Sequence, residues 1–132
     1  MSGSANTGGH PYQIVEAYGP RRFRVSGAVH QTSVIVFPEE TVTWPVESFA
    51  ALGEGDFAPV IERAGDVEIL LLGCGPRMEL VPRAFCDHLR ASGVVIEPMD
   101  TGAAARTFNL LLSEDRKVAA ALIVLPEETD AQ

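Results

Sequence analysis

The segment "ILLLGCGPRMELVPRAF", residues 69–85, runs from an apolar block through two glycines into a helix-like pattern. A strand that is apolar at nearly every position is typical of a sheet covered on both faces. Gly73 and Gly75 stand at the carboxyl end of this predicted strand, the end at which ligands of open α/β sheets usually bind. The segment therefore predicts an α/β fold and makes the glycine turn the first candidate for a functional site.

The part of the chain that precedes this strand has the pattern of antiparallel hairpins. Short apolar runs separated by turn residues at 19–20 and 38–40 predict two such hairpins. Pro45 directly follows Trp44 and has no backbone donor. The strand that holds Trp44 is therefore expected to lie at a sheet edge or to end soon after this residue.

From residue 57 onwards the sequence predicts helices and strands in alternation. Such an order produces right-handed crossovers and a mostly parallel sheet. The predicted elements are a helix at 57–64 capped by Asp56, a strand at 67–72, a helix near 81–91, a strand at 94–99, a helix near 102–113 and a strand at 117–125. They predict one compact three-layer α/β domain at 13–126, with N-terminal β-hairpins followed by β-α-β-α-β in a mixed central sheet. Residues 1–12 are expected to be a disordered tail and 127–132 a polar C-terminal tail.

Composition narrows the class of protein. The chain has 132 residues, of which 46% are hydrophobic, and its formal net charge is -8. This charge repels a polyphosphate backbone, so nucleic-acid binding is not expected. Cys74 and Cys86 are too few for a disulfide scaffold, and no secretory leader or membrane-spanning apolar run is evident. We therefore expect a cytoplasmic protein.

Three features oppose a phosphate-binding role for the glycine turn. A dinucleotide fingerprint needs a third glycine where Met78 stands, and a phosphate loop needs a Lys followed by Ser or Thr, which are absent. Pro82 favours a helix start near residue 81, which moves the helix amides away from the glycines. Glu97 alone has a spacing suited to a ribose-binding acid. The turn is therefore predicted to be a structural corner, in which glycine supplies a positive φ or close packing.

The cysteines and histidines form no catalytic or metal-binding pattern. Cys74 lies between the glycines, but no histidine has an evident relation to it, so we expect a buried structural cysteine. Cys86 and His88 are two positions apart on a predicted helix and face different directions. His10 and His30 have no spacing that links them to this pair. We predict no metal and no cofactor.

The second informative stretch, "MDTGAAARTFNLLLSEDRKVAAAL", begins with a capped helix. Asp100 or Thr101 can cap it, and Arg106 and Asn109 share one face because they are three positions apart. In one interpretation Arg106 pairs with an acid such as Asp100, and Asn109 closes a turn of backbone. In the other, both form the floor of a polar site that includes Arg77 and the glycine turn. The residues alone favour the first interpretation.

The motifs "LLLGCGPRMELVP" and "GVVIEPMDTGAAARTFNLLLSEDRKVAAAL" resemble those of a conserved family of unknown function. This family includes the mitochondrial respiratory complex I assembly factor three and many small bacterial proteins. The resemblance implies a compact three-layer α/β domain with a mixed central sheet, and it brings no catalytic mechanism with it. Its members often have a small polar residue where Cys74 stands, which argues against a thiol mechanism. The matching positions are Gly73, Gly75, Asp100, Thr101, Arg106, Asn109 and Arg116.

Three hypotheses about function follow, of which the first is preferred. The first is a non-catalytic interaction protein, an assembly or accessory factor of unspecified target that has protein partners and works at the membrane periphery. The second is a small anion- or nucleotide-binding domain, with enzymatic activity as an extension. The third is homo-oligomerisation through a hairpin edge or the region of Trp44. The predicted ligand or partner site consists of Gly73, Gly75, Arg77, Asp100, Thr101, Arg106 and Asn109.

Overall fold

The computed structural model describes residues 12–127. Within them the chain forms two β-sheets, three α-helices and three short 3-10 helices. The predicted tails at 1–12 and 127–132 lie outside the described residues, apart from Tyr12 and Glu127.

The first sheet is antiparallel and contains β1 (Val15–Gly19), β2 (Arg22–Val25) and β3 (Ala28–His30). The hairpin of β1 and β2 confirms the first of the two predicted hairpins. β3 was not predicted, because three residues are too few to display an alternating pattern. Ser26 and Gly27 lead into β3 with φ angles of 48° and 88°, the positive values that a two-residue hairpin loop needs.

Five further strands form the central sheet. They are β4 (Val34–Val36), β5 (Thr41–Thr43), β6 (Ile69–Gly73), β7 (Val95–Met99) and β8 (Val118–Leu122). Their spatial order is β5-β4-β8-β6-β7. β6 is parallel to β7 and β8, whereas β4 is antiparallel to β5 and β8. The second predicted hairpin and the mixed central sheet are therefore confirmed.

The α-helices are α1 (Ala58–Ile61), α2 (Arg83–Arg90) and α3 (Thr101–Ser113). Two of them confirm predicted helices within two residues at each end. Pro82 is the N-cap residue of α2, as the position of the proline predicts. α3 is the longest element of the described chain and carries three of the seven motif positions, Thr101, Arg106 and Asn109.

The predicted helix at 57–64 is wrong in length, and so is the role predicted for Asp56. Four residues, those of α1, are α-helical, and tighter 3-10 turns lie on either side at Glu54–Phe57 and Ala64–Asp66. Asp56 lies inside the first of these turns, where its carboxylate accepts a bond from the Gly53 amide at 2.7 Å. It therefore caps the 3-10 turn rather than α1.

The central sheet is the middle of three layers. α2 and the segment 44–67 cover one face, and the core there includes Trp44, Phe57, Leu70, Leu72 and Leu89. α3 and the first sheet cover the other face, where the core includes Phe23, Val25, Leu71, Phe108 and Leu112. The leucines of β6 thus pack alternately on the two sides, which explains why this strand is apolar throughout. The predicted three-layer architecture is confirmed.

Trp44 directly follows the last residue of β5. β5 is an edge strand and ends at Thr43, in agreement with the prediction made from Pro45. The Trp44 side chain is buried, and its indole N–H donates to the Asp56 carbonyl at 2.7 Å. This burial removes the Trp44 ring from any surface that a second copy of the chain would contact.

Candidate functional site

Gly73, the last residue of β6, permits a close approach between this strand and α3. An ideal Cβ placed on Gly73 would lie 2.9 Å from the Thr101 Cα and 3.1 Å from a methyl of Leu122. Contacts below 3.0 Å are not tolerated by real Cβ atoms, and the Thr101 Cα belongs to the backbone and cannot swing aside. The glycine therefore fixes the distance between β6 and the first turn of α3.

Gly75 and Thr101 hold each other through two hydrogen bonds. Gly75 has φ +110°, and its N–H donates to the Thr101 hydroxyl at 2.9 Å. The Thr101 N–H donates to the Gly75 carbonyl, also at 2.9 Å. The hydroxyl in turn donates to the Ile123 carbonyl at 2.7 Å, and the Thr101 side chain is fully buried. One threonine thus joins the chain segments that follow β6, β7 and β8.

These contacts close the place where an open α/β sheet would bind a ligand. The chain leaves β6 for α2 on one face and leaves β7 for α3 on the other, so the two carboxyl ends form a topological switch point. Thr101 and the Gly75 backbone fill this point, and the Cys74 N–H donates to the Met99 carbonyl at 2.8 Å. The glycine turn has the positive φ and the close packing that a structural corner requires, and α2 begins only at Arg83.

Asp100 is the N-cap of α3. Its carboxylate accepts a bond from the Ala103 N–H at 2.8 Å, which confirms one of the two predicted caps. A carboxylate in this position already interacts with the positive end of the helix dipole. It would therefore repel an anion brought to the same turn.

Arg106 and Gly102 fasten β1 to α3. The Arg106 guanidinium donates to the phenol oxygen of Tyr18. An ideal Cβ on Gly102 would lie 2.8 Å from the same oxygen, so the tyrosine ring sits directly over this glycine. The expected ion pair of Arg106 with Asp100 is wrong, because the partner within the described residues is a phenol delivered by the first sheet.

Asn109 binds the backbone of β1. Its side-chain oxygen accepts from the Val15 N–H and its amide nitrogen donates to the Val15 carbonyl, both at 3.0 Å. This arrangement imitates the pairing of a neighbouring strand at a point where the register of β1 with β2 shifts. The expectation that Asn109 closes a turn of backbone is wrong, because the backbone that it binds belongs to β1 of the first sheet.

The predicted site residues therefore separate into groups. Gly73, Gly75, Asp100 and Thr101 meet at the carboxyl end of the sheet. Arg106 shares with Gly75 and Asp100 the border of an open depression of about 460 Å³ but is turned towards Tyr18. Arg77 is exposed in the connection between β6 and α2, and Arg116 is exposed beyond the end of α3.

A larger cleft of about 650 Å³ opens on the α2 side of the glycine turn. Its walls are the turn itself and a segment near residues 47–50, which the sequence did not connect with this edge. The cleft is bordered by one arginine, Arg21, and by three carboxylates, those of Glu47, Glu79 and Glu127. The guanidinium of Arg21 forms an ion pair with the Glu47 carboxylate at 2.9 Å. The negative rim argues against an anion or nucleotide here. No motif marks the segment, because only the folded chain carries it to the turn.

Cys74 lines this cleft with a protonated thiol. Burial raises the pKa of Cys74 above its ordinary value of 9.0, against the opposing effect of the Glu79 and Met99 backbone amides. The side chain is 3% exposed, and its thiol donates to the Leu72 carbonyl at 3.6 Å. The prediction of a buried structural cysteine is confirmed.

Two further observations concern residues 12–127 only. They contain no group of three or more His, Cys, Asp or Glu side chains arranged to hold a metal ion. Their helices are all too short or too polar to cross a bilayer. His10 of the sequence prediction lies outside this part of the chain.

Comparison with known proteins identifies the family. The model of the family described as "Protein of unknown function (DUF498/DUF598)" matches residues 15–123. The chain belongs to this family. An uncharacterized protein of Rhodobacter capsulatus is 39% identical over 112 residues, which cover 85% of each chain.

NADH dehydrogenase (ubiquinone) 1 alpha subcomplex assembly factor 3 is also similar to this chain. The Danio rerio protein is 32% identical over 113 residues, or 86% of this chain and 65% of its own length. The Homo sapiens protein is 30% identical over 115 residues, which cover 87% of this chain and 62% of the human protein. The chain thus spans less than two thirds of these relatives. The resemblance noted from the motifs is confirmed.

Solved structures of relatives have the same fold. A crystal structure of a Bordetella parapertussis protein matches with a TM-score of 0.79 at 34% identity, covering 86% of this chain and 96% of that one. A solution structure of a Bordetella pertussis protein, described as a Mth938-like domain, matches with a TM-score of 0.78 at 29% identity. The match covers 89% of this chain and 89% of that one. The crystal structure of a Bartonella henselae protein, described as an outer membrane protein, matches with a TM-score of 0.77 at 32% identity. The match covers 89% of this chain and 99% of that one.

Proposed function

We propose that this protein is a non-catalytic interaction protein that serves as an assembly or accessory factor for other proteins. The observation that carries the proposal is the similarity to assembly factor 3 over 86% of this chain. The name of that relative describes assembly of an NADH dehydrogenase. The role is transferred here as a class, and a partner at the membrane periphery fits the same similarity.

The chemistry of the site supports a role without catalysis. The side chains of Thr101, Arg106 and Asn109 have their polar groups engaged with neighbouring parts of the chain. Among the hydrogen bonds formed within residues 12–127, none joins a hydroxyl or thiol to a histidine, which is the pairing that activates a nucleophile. The anion- or nucleotide-binding alternative therefore has no support from these groups.

The proposal places the protein in the cytoplasm. Cys74 and Cys86 are free thiols, and reducing compartments maintain that state. A protonated, buried Cys74 also has no low-pKa thiolate that would make it a redox-active group.

Deletion of the gene from its native host tests the proposal. Protein complexes of the deletion strain and of the parent are separated on native gels, and the subunits in each band are quantified by mass spectrometry. We expect one multisubunit complex to decrease and one of its subassemblies to accumulate, with this protein travelling with the subassembly in the parent. Re-expression of the gene is the control and should restore the complex. Unchanged complexes, or turnover of a defined substrate by the purified protein, would overturn the proposal.

A further inference from the structure

The connection between β6 and α2, residues 74–82, is longer than the roughly two to six residues usual between a strand and a helix. It bends at 75–77 and then runs without a further bend or turn from residue 78 to residue 82. Both ends are anchored, since Gly75 is bonded to Thr101 and Val81 packs against the hydrophobic core. The connection is thus attached to the fold on both sides of Met78 and Leu80.

Exposure alternates along the straight part of this connection. Met78 is 52% exposed and Leu80 is 85% exposed, whereas Glu79 and Val81 between and after them are half-buried. Alternation with a period of two is the pattern of an extended strand with one face outwards. Leu80 is the most exposed large hydrophobic residue of the described chain. The connection therefore presents two apolar side chains from one edge.

The backbone of this edge is also open. Within residues 12–127, the backbone groups of Arg77, Met78, Leu80 and Val81 form no hydrogen bond with other backbone groups. Glu79, which lies between them, likewise forms no such backbone bond within these residues. Unpaired donors and acceptors beside outward apolar side chains are the features by which an edge strand receives another chain.

Arginines flank the apolar pair, whereas Glu79 between the two apolar residues is half-buried and borders the cleft beside the glycine turn. Arg77 and Arg83 are both exposed and lie on either side of Met78 and Leu80 in the sequence. The ion pairs formed within residues 12–127 involve other arginines, Arg21, Arg24 and Arg63. A partner with carboxylates near its apolar residues would therefore complement this edge.

We propose that residues 77–83, the docking edge, bind an extended segment of a partner protein in which apolar residues alternate and acidic residues flank them. The partner segment would pair with the open backbone, cover Met78 and Leu80, and place its carboxylates near Arg77 and Arg83. The inference rests on the proposed function and names the surface through which it operates.

The open backbone favours a protein over a bilayer as the occupant. Insertion of the docking edge into lipid would leave its N–H and C=O groups without partners in a medium that has none to offer. A partner strand supplies those bonds and desolvates the two apolar side chains at the same time.

Selection from a library of short random peptides tests the docking edge with the full chain. The protein is immobilised, and an excess of the double variant Met78→Ser/Leu80→Ser in solution removes peptides that bind elsewhere. Val29→Ser is the matched control, because Val29 is 59% exposed and lies on β3, in the other sheet. Thermal unfolding of both variants confirms that their folds are retained.

We expect selected peptides with alternating apolar residues and flanking Asp or Glu. Their affinity should fall by about tenfold or more in Met78→Ser/Leu80→Ser, the loss typical of central apolar contacts, and remain unchanged in Val29→Ser. Arg77→Glu/Arg83→Glu should weaken binding and reduce its dependence on salt. Bound peptide should slow hydrogen exchange of the Leu80 and Val81 amides.

Three results would overturn the inference. They are the absence of enrichment over the double variant, protection of amides elsewhere in the chain, and a Leu80-dependent interaction with phosphatidylcholine–phosphatidylglycerol vesicles or with a second copy of the protein. The two proposals fail separately. If the double variant restores the complexes of the deletion strain, the assembly role stands and the docking edge is wrong. If selected peptides bind the edge while no complex depends on the gene, the edge stands and the assembly role is wrong.

Discussion

The hydroxyl of Thr101 is predicted to contribute more to stability than the methyl group of the same side chain. The hydroxyl accepts from the Gly75 N–H at 2.9 Å and donates to the Ile123 carbonyl at 2.7 Å, in a fully buried position. Thr101→Val keeps the volume and removes both bonds. Each buried group left without a partner costs about 1–3 kcal/mol, so the two together cost roughly 2–6 kcal/mol.

Thr101→Ser provides the matched control. Serine keeps the hydroxyl and loses one buried methyl, which costs about 1 kcal/mol including the small space left behind. A domain of this kind is stable by about 5–15 kcal/mol, so the valine variant should lose a large part of its stability and the serine variant a small part. The order of stability is therefore expected to be wild type, serine, valine.

Urea unfolding followed by the fluorescence of Trp44 measures this difference, since Trp44 is the single tryptophan of the chain and is buried. The midpoint should shift while the slope with urea stays constant, because the surface exposed on unfolding is unchanged. A valine variant as stable as the serine variant would refute the view that Thr101 closes the sheet edge through its hydroxyl.

Three further predictions concern other parts of the fold. Gly73→Ala should destabilise the protein by about 1–3 kcal/mol, because the new Cβ would lie 2.9 Å from the backbone of α3. Gly19→Ala should cost less, because a Cβ on Gly19 has nothing within 4 Å. Equal unfolding midpoints of the two variants in urea would contradict this prediction. Asp115→Gly should raise the free energy of unfolding by about 1 kcal/mol, because Asp115 follows α3 with φ +62°, a value that favours glycine. Glu114 has φ -98°, so Glu114→Gly should give no increase in stability when both variants are compared by thermal unfolding. Burial raises the pKa of Cys74, so the folded state holds this proton more tightly than the unfolded state. Stability should therefore fall as the pH rises above 9.0 and fall less in Cys74→Ala, and parallel curves of unfolding free energy against pH would disprove this.

The parts of the fold that could be predicted are those in which neighbouring residues carry the information. The apolar run of β6 and the Asp100 cap of α3 are local patterns, and both are confirmed. β3 and the 3-10 turns around α1 escaped prediction for the same reason, because segments of three or four residues contain too little periodicity to recognise.

The candidate site shows where local patterns cease to be sufficient. The meeting of Gly73 and Thr101 could be expected, since the carboxyl ends of adjacent parallel strands share one edge. The bond between Asn109 and Val15 could not, because 94 positions separate the two residues in the sequence. The prediction of the partner of Arg106 was wrong for a similar reason, since Tyr18 lies 88 positions away in the sequence, on β1 of the first sheet.

The position of β8 determines when the protein can fold. β8 is the last of the described strands to be synthesised, yet it lies between β4 and β6 in the middle of the central sheet. A nascent chain that ends before residue 118 can form its hairpins, but it cannot join them to the β6–β7 pair. Folding is thus delayed until nearly the whole domain has left the ribosome, and the contacts it must then make are distant in sequence, which slows it. During that interval the apolar faces of β4 and β6 are exposed to chaperones and to other nascent chains.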